Sequence, residues 1–249
     1  MGENVKFLSN NMITGLSRLS ASSGTATLVN VIDRDLDTAW TSLGEGTTQG
    51  TITWTPAVST TIDRFFIQNH NLGTYSLYYN EGTGNVFSPD ISVTGNAGTN
   101  NYHEFTGQAI TSVSLAMQVS SGEKSIGQIF FGTQQFEVDN NPAEYNPIKR
   151  KKGHDVEMAD GGAKSIWLGE KFYADLHFSF VSTTERANFD NLYDAHDSFY
   201  FMPTPTVGTW DGNAWNCNWV GNKDIMKLTG GVSKDVGYDV SMMIWEIAG

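Results

Sequence analysis

Apolar and polar residues alternate along the first half of the chain in short stretches. In GTITWTP (50–56) Ile52 and Trp54 fall on every second position, the period of a strand with one face buried. TIDRFFIQNHNL (61–72) carries Ile62 and then the run Phe65, Phe66, Ile67, as a buried central strand does. TYSLYYN (74–80), EFTG (104–107), TSVSLAMQVSS (111–121) and SIGQIFFGTQ (125–134) continue the pattern. The connectors NEGTGN (80–85) and TGNAGTNN (94–101) are rich in turn-forming residues. No stretch keeps a helical period for more than about two turns. Residues 1–138 therefore read as a jelly-roll-like β-sandwich.

The pattern breaks at EVDNNPAEYNPIKRKKG (137–153), where two prolines, three asparagines and a basic run replace alternation. Residues 139–153 are expected to form a linker. Beyond it, EKFYADLHFSFVS (170–182) places Phe172, Ala174, Leu176, Phe178 and Phe180 on one face of a long strand. Ser182 and Glu185 have capping-box spacing. Ala187, Phe189, Leu192, Tyr193 and His196 then recur at three and four, predicting a helix over 183–196. FYFMPTP (199–205), NAWNCNWVG (213–221) and VGYDVSMMIWEI (236–247) read as strands, with Trp215, Cys217 and Trp219 on one face. One helix on an antiparallel sheet makes 154–249 an α+β domain, and the whole chain mostly β.

Composition agrees with this reading. The 249 residues are 39% hydrophobic and 12% aromatic but only 17% charged, with 26 glycines, which suits short strands joined by turns. Net charge is −12 and both halves are acidic, which argues against nucleic acid as a partner, because phosphate neutralisation needs a basic face. The one basic run, Lys149, Arg150, Lys151 and Lys152, sits at the junction and is a candidate protein contact. Cys217 is the only cysteine, so no intrachain disulfide can form, as expected of cytosolic synthesis. No signal-peptide core, membrane span or myristoylation site is expected; position 6 is Lys6 where myristoylation needs Ser or Thr.

NVIDRDLDTAW (30–40) puts Asp33, Asp35 and Asp37 at alternate positions before Trp40. A helix–loop–helix calcium loop would need Gly at its sixth and Glu at its twelfth place, where this chain has Thr38 and Gly44. Three readings stay open: a turn and cap with Trp40 in the core, a non-helical calcium site, or a direct sugar contact. No cofactor is required; calcium is the one candidate.

DRDLDTAW, TITWTP, TTIDRFFIQNHNLG and SIGQIFFG occur in the order and spacing of the discoidin-like, galactose-binding-like β-sandwich family, which residues 1–138 resemble. The resemblance implies a core Trp, an acidic turn capping the sandwich, sometimes with calcium, and sugar binding by rim loops in lectin members. His70 and Asn71 are the rim-type pair here, and no arginine partner matches.

The second domain, with its long strand, capped helix, proline-ended aromatic strand, Trp strand and closing MMIWEI, resembles the minor or distal tail-tip proteins of long-tailed bacteriophages. RKKGHDVEMADGGAKSIWLGEKF fits the β-hairpin arm that opens such domains. The resemblance implies a homo-oligomeric ring, a hexamer or trimer, that continues the tail sheet from copy to copy beside other tail proteins. Trp210 is then a candidate interface residue. An acidic inner surface would suit a DNA conduit.

No GxSxG, GxxxxGK[ST] or HExxH is present; HEFTG (103–107) stops short of the second His. In DAHDS the residues Asp194, His196, Asp197 and Ser198 lie too close together on a helix end to converge on one atom. His196 reads as a favourable helix terminus, and Cys217 as a small buried hydrophobe. The expectation is a non-enzymatic virion protein, made in the host cytoplasm and built into the tail, whose sandwich contacts host surface glycans. The alternatives are a carbohydrate-binding module or lectin, and a non-catalytic module of a secreted glycosidase complex.

Overall fold

The computed structural model describes residues 4–43, 48–80, 91–119, 122–138, 144–157, 163–210, 212–230 and 234–247. At 144, 146, 150–157, 163–170, 226–230 and 234–236 it describes the backbone alone. Along the chain the strands are β1 (Val5–Leu8), β2 (Leu19–Ala21), β3 (Trp40–Thr41), β4 (Gly50–Trp54), β5 (Thr60–His70) and β6 (Thr74–Tyr79). Next come β7 (Ile91–Thr94), β8 (Asn101–Ile110), β9 (Val113–Gln118), β10 (Ser125–Gly132), β11 (Gln134–Val138), β12 (Glu144–Glu157) and β13 (Ala163–Val181). Helix α1 (Thr183–Ala195) is followed by β14 (Phe199–Met202), β15 (Gly208–Thr209), β16 (Trp215–Gly230) and β17 (Lys234–Glu246). No helix among the described residues is long and apolar enough to cross a membrane.

Residues 8–134 with 204–213 form the first compact unit. Its two five-stranded sheets run in the orders β15-β8-β5-β10-β3 and β2-β4-β9-β6-β7. Ile52 and Trp54 of β4, Tyr75 and Leu77 of β6, and Leu115 and Met117 of β9 share one core with Phe65 and Ile67 of β5 and Ile129 and Phe131 of β10. Strand β5 is central, hydrogen-bonded to β8 and β10, and is apolar on both faces: Phe66 is buried and stacks on Phe130 at 4.5 Å. The turn expected at 80–85 lies outside the described residues beyond Asn80.

The second unit comprises the segment up to Phe7, then 135–203 and 214–248. Its seven-stranded sheet has the order β11-β1-β14-β16-β17-β13-β12, with α1 against the inward face. The Ser182 hydroxyl accepts from the Glu185 amide at 3.2 Å, and the Glu185 carboxylate accepts from the Ser182 amide at 2.7 Å. That reciprocal cap starts the helix where its spacing places it. His196 ends it at φ 52.

Three expectations change. Residues 144–153 are not linker but the first part of β12, paired with β13 along its length. The strand lies at the sheet edge, where Pro147 deprives no second neighbour of a donor and lysines are favoured, so its sequence carries no apolar alternation. Residues 139–143 lie outside the described residues. The boundary at 138 also fails to separate the units: β1 belongs with the α+β sheet, and 204–213 with the sandwich. Finally, Phe180 leaves the inward face. Phe178 pairs with Val240 and Val181 with Tyr238, so Ser179 and Phe180 stand opposite Asp239 alone, a β-bulge. Val181 takes the buried place, and Phe180 is 60% exposed at φ 61. For an aromatic residue that conformation costs about 1–3 kcal/mol.

The centre of the α+β core is Phe7, whose ring meets those of Phe136, Phe178, Phe189, Phe199 and Phe201 at 4.5–6.3 Å. Phe7→Ala should lower stability by about 3–5 kcal/mol. Urea denaturation followed by near-ultraviolet circular dichroism would check this.

Candidate functional site

The acidic turn is built from its own carboxylates. Asp33 Oδ1 accepts from the Asp35 amide at 2.9 Å, and Asp35 Oδ1 from the Asp37 amide at 2.9 Å. The Thr38 hydroxyl donates to Asp33 Oδ2 at 2.7 Å. These are successive Asx turns, which explains the alternate spacing. No group of three His, Cys, Asp or Glu side chains that could hold a metal occurs among the described residues. The carboxylates thus hold the loop.

Behind the turn, Trp40 is fully buried in the sandwich core and its indole N–H donates to the Ser23 carbonyl at 3.2 Å. Gly24, at φ 63, passes so close that a Cβ there would meet the Thr41 carbonyl and stand 2.8 Å from the indole nitrogen. The stretch is a turn with a core tryptophan as anchor.

His70 and Asn71 do not form an open rim pair. His70 is 3% exposed; its Nε2 is 2.7 Å from Asn101 Oδ1, and its Nδ1 accepts from the Leu72 amide at 3.1 Å. Both ring nitrogens are occupied inside the chain, which corrects its reading as a glycan contact. Strand alternation brings this about, because His70 falls on an inward position at the end of β5. The Asn71 amide is also engaged, donating to the Glu123 carbonyl and accepting from the Ser125 amide, both at 2.8 Å.

A second buried histidine lies close by. His103 Nε2 is 2.6 Å from the Tyr75 hydroxyl, and its ring stacks on Phe65. Burial pushes His103 down to about 4, and burial, opposed by the Asn101 hydrogen bond, does the same to His70. Neither histidine is protonated at neutral pH in the fold. The sequence does not flag the burial of His103, because Asn101, Tyr102 and His103 of β8 are all buried and no alternation marks it.

Trp210 is 4% exposed, with its indole N–H donating to the Thr204 carbonyl at 3.1 Å and its amide donating to the Asn100 carbonyl at 3.0 Å. Its burial within the sandwich unit corrects the interface assignment. Segment 204–213 is held there by Gly208 and Thr209 of β15 pairing with β8, and by Asn100 donating to the Gly212 carbonyl at 2.7 Å. Lys149 is exposed on β12; the side chains of Arg150, Lys151 and Lys152 lie outside the described residues.

In the α+β unit, one open depression of about 260 Å³ is lined by Asp175, His177, Val220, Asn222, Ser241 and Met243, among others. The Tyr173 hydroxyl donates to Asp175 Oδ1 at 2.8 Å, and His177 Nε2 lies 3.7 Å from Asp239. Met243 and Trp245 beside it are 37% and 40% exposed. On α1, Asp194 pairs with Lys223 at 3.4 Å and His196 is exposed as the cap, so DAHDS brings no triad together. Cys217 is fully buried, and burial pushes its thiol well above its ordinary value, so it presents no thiolate.

No family model matches this sequence, and neither does any curated protein. Among solved structures, chitosan-binding module 1 of a Paenibacillus sp. IK-5 chitosanase/glucanase is similar at TM-score 0.41 and 19% identity, over 49% of this chain and 95% of that one. The Clostridium perfringens module CpGH89CBM32-5, in complex with GalNAc-β-1,3-galactose, gives 0.39 and 19%, over 46% and 94%. A Ruminococcus gnavus GH29 fucosidase in complex with fucose gives 0.44 and 15%, over 50% of this chain and 26% of the enzyme. These are partial superpositions, each over no more than half of the chain.

The two buried histidines make stability depend on pH. Unfolded, each binds a proton below its ordinary value of 6.5, whereas in the fold each waits until about 4. Stability contributed by the neutral rings is therefore full above pH 6.5 and falls progressively towards pH 4. Thermal melts across that window should show a falling midpoint, and His103→Gln should flatten the slope by roughly half, one of two comparable groups.

Proposed function

We propose that this chain is a non-catalytic structural protein that assembles with copies of itself through its α+β unit, and that its β-sandwich is a carbohydrate-contacting module. The observation that carries the assembly reading is the edge of the seven-stranded sheet. Strand β12 is 14 residues long and among the described residues pairs with β13 alone, so its other side presents a long row of backbone donors and acceptors. Strands usually run to about 5–6 residues, and such an edge is a template for another chain. Its basic run, Lys149 to Lys152, discourages indiscriminate pairing and suits an acidic neighbour, which a chain of net charge −12 supplies.

The setting we propose is the tail tip of a long-tailed bacteriophage, with a hexameric or trimeric ring beside other tail proteins and synthesis in the host cytoplasm. What supports it is the order of elements from β13 to β17, with the capped helix between long strands. The second reading is a carbohydrate-binding module or lectin, favoured by the sandwich architecture. Its contact residues would lie elsewhere than His70, whose ring is already satisfied.

Native mass spectrometry of the full chain over a range of concentrations tests the assembly reading. Closed oligomers are expected, with a mass unchanged by EDTA. A monomer at every concentration would overturn that reading and leave the binding module, which binding of the full chain to a glycan array would then have to support.

A further inference from the structure

Strands β13, β16 and β17 each bury one face, and polar residues of their other faces meet around a hollow. Ala174, Leu176, Phe178, Val240, Met242 and Ile244 are buried in the α+β core. The residues between them point the other way. Register sets these in rows: Tyr173 beside Trp245, Asp175 beside Met243, and His177 beside Ser241. Across β17, Val220 of β16 continues the row of Met243. The next paired residue of β16 is Asp224, opposite Ser241, so Gly221, Asn222 and Lys223 stand against Met242 alone. This bulge borders the open depression of about 260 Å³. Gly221 sustains it at φ 87, which glycine adopts without a steric penalty. Lys223 pairs with Asp190 and Asp194 of α1 at 2.9 and 3.4 Å, while Asn222 stays exposed at the hollow.

The polar groups of this hollow are not consumed by the fold. Among the described residues, the Asn222 amide and the Ser241 hydroxyl have no hydrogen-bond partner within the chain. His177 Nε2 lies 3.7 Å from Asp239 Oδ2, beyond hydrogen-bond length, and Asp239 Oδ1 is buried without a partner. Asp175 is exposed and accepts from the Tyr173 hydroxyl through Oδ1, which leaves Oδ2 to solvent. In the sandwich the reverse holds: Asp33, Asp35, Asn71 and Asn100 each satisfy backbone groups of their own loops.

These groups select a class of ligand. The Asn222 amide and the Ser241 hydroxyl both donate and accept, whereas the Asp175 carboxylate only accepts. An anion would be repelled by Asp175 and Asp239, and an ammonium would leave the Asn222 donors unmatched. Hydroxyl groups, each a donor and an acceptor, answer all of them. Val220 and Met243 add apolar contact for ring carbons. Trp245, 40% exposed, stands two residues on from Met243 on the same face, roughly 6.6 Å along the strand. Sites for drug-sized ligands run from about 300 to 1,000 Å³, so a hollow of about 260 Å³ suits one ring whose chain continues into solvent. We propose that this hollow binds one neutral pyranose residue of a saccharide. Asp175, Asn222 and Ser241 hydrogen-bond its hydroxyls, and Met243 and Trp245 lie against its carbon face. The site is made entirely by the α+β unit and depends on neither the assembly reading nor a sugar contact by the sandwich.

The test is methyl NMR of the full chain with isotope-labelled methionine methyls, titrated with glucose, galactose, N-acetylglucosamine, glucuronate and galacturonate. The Met243 resonance, identified by its loss in Met243→Leu, should shift saturably with at least one neutral sugar. Half-saturation on the order of 1–10 mM is expected of a small ligand in an open site. Asn222→Ala should weaken binding by about fivefold without changing the melting temperature, and Trp245→Ala by about tenfold. The two uronates should bind about tenfold more weakly than the best neutral sugar, because their charge meets Asp175. A Met243 resonance that none of the neutral sugars moves would overturn the site, as would equal affinity in both variants or in the uronates. A shift at Met12 or Met117 without one at Met243 would place the sugar on the sandwich and overturn the hollow.

Discussion

Five phenylalanine rings around Phe7 are what the α+β unit is built on. Phe7 comes from the first strand of the chain, whereas the rings that enclose it come from β11, β13, α1 and β14. A core of this kind cannot close until distant segments meet, so its formation carries the loop-closure entropy of most of the chain. The aromatic area buried there offsets that loss, and aromatic pairs add about 0.5–1.5 kcal/mol each beyond their area. The Ser182–Glu185 cap, the packing of Trp215 on Phe172 and the alternation of β13 all serve to present rings to this centre.

The sandwich obeys a different constraint. Its polar side chains are spent on its own loops: Asp33 and Asp35 on their turn, Asn71 on the 123–125 loop, Asn100 on the 204–213 segment. Each satisfies a backbone group that burial or a tight turn would otherwise leave unpaired. Residues that look available in the sequence are hydrogen-bonded within the chain once folded. Among the described residues, exposed apolar side chains occur in both units, Leu43 and Val58 in the sandwich and Phe180 and Trp245 in the α+β unit.

Sequence alone determined the mostly β class, strands within 50–56, 61–72 and 111–121, and the capped helix. Each of these follows from local periodicity or local hydrogen bonding, which a short window contains. Tertiary structure alone decided which sheet β1 joins, that 204–213 returns to the sandwich, that 144–153 is an edge strand, and that His70 and Trp210 are buried. It also decided that Phe180 is not in the core. Alternation specifies that a strand has an apolar face but not which strand it pairs with, and a one-residue bulge reverses that face without leaving a mark on composition. Register and partner are set by contacts between residues far apart in the chain, and those are satisfied only in the folded molecule.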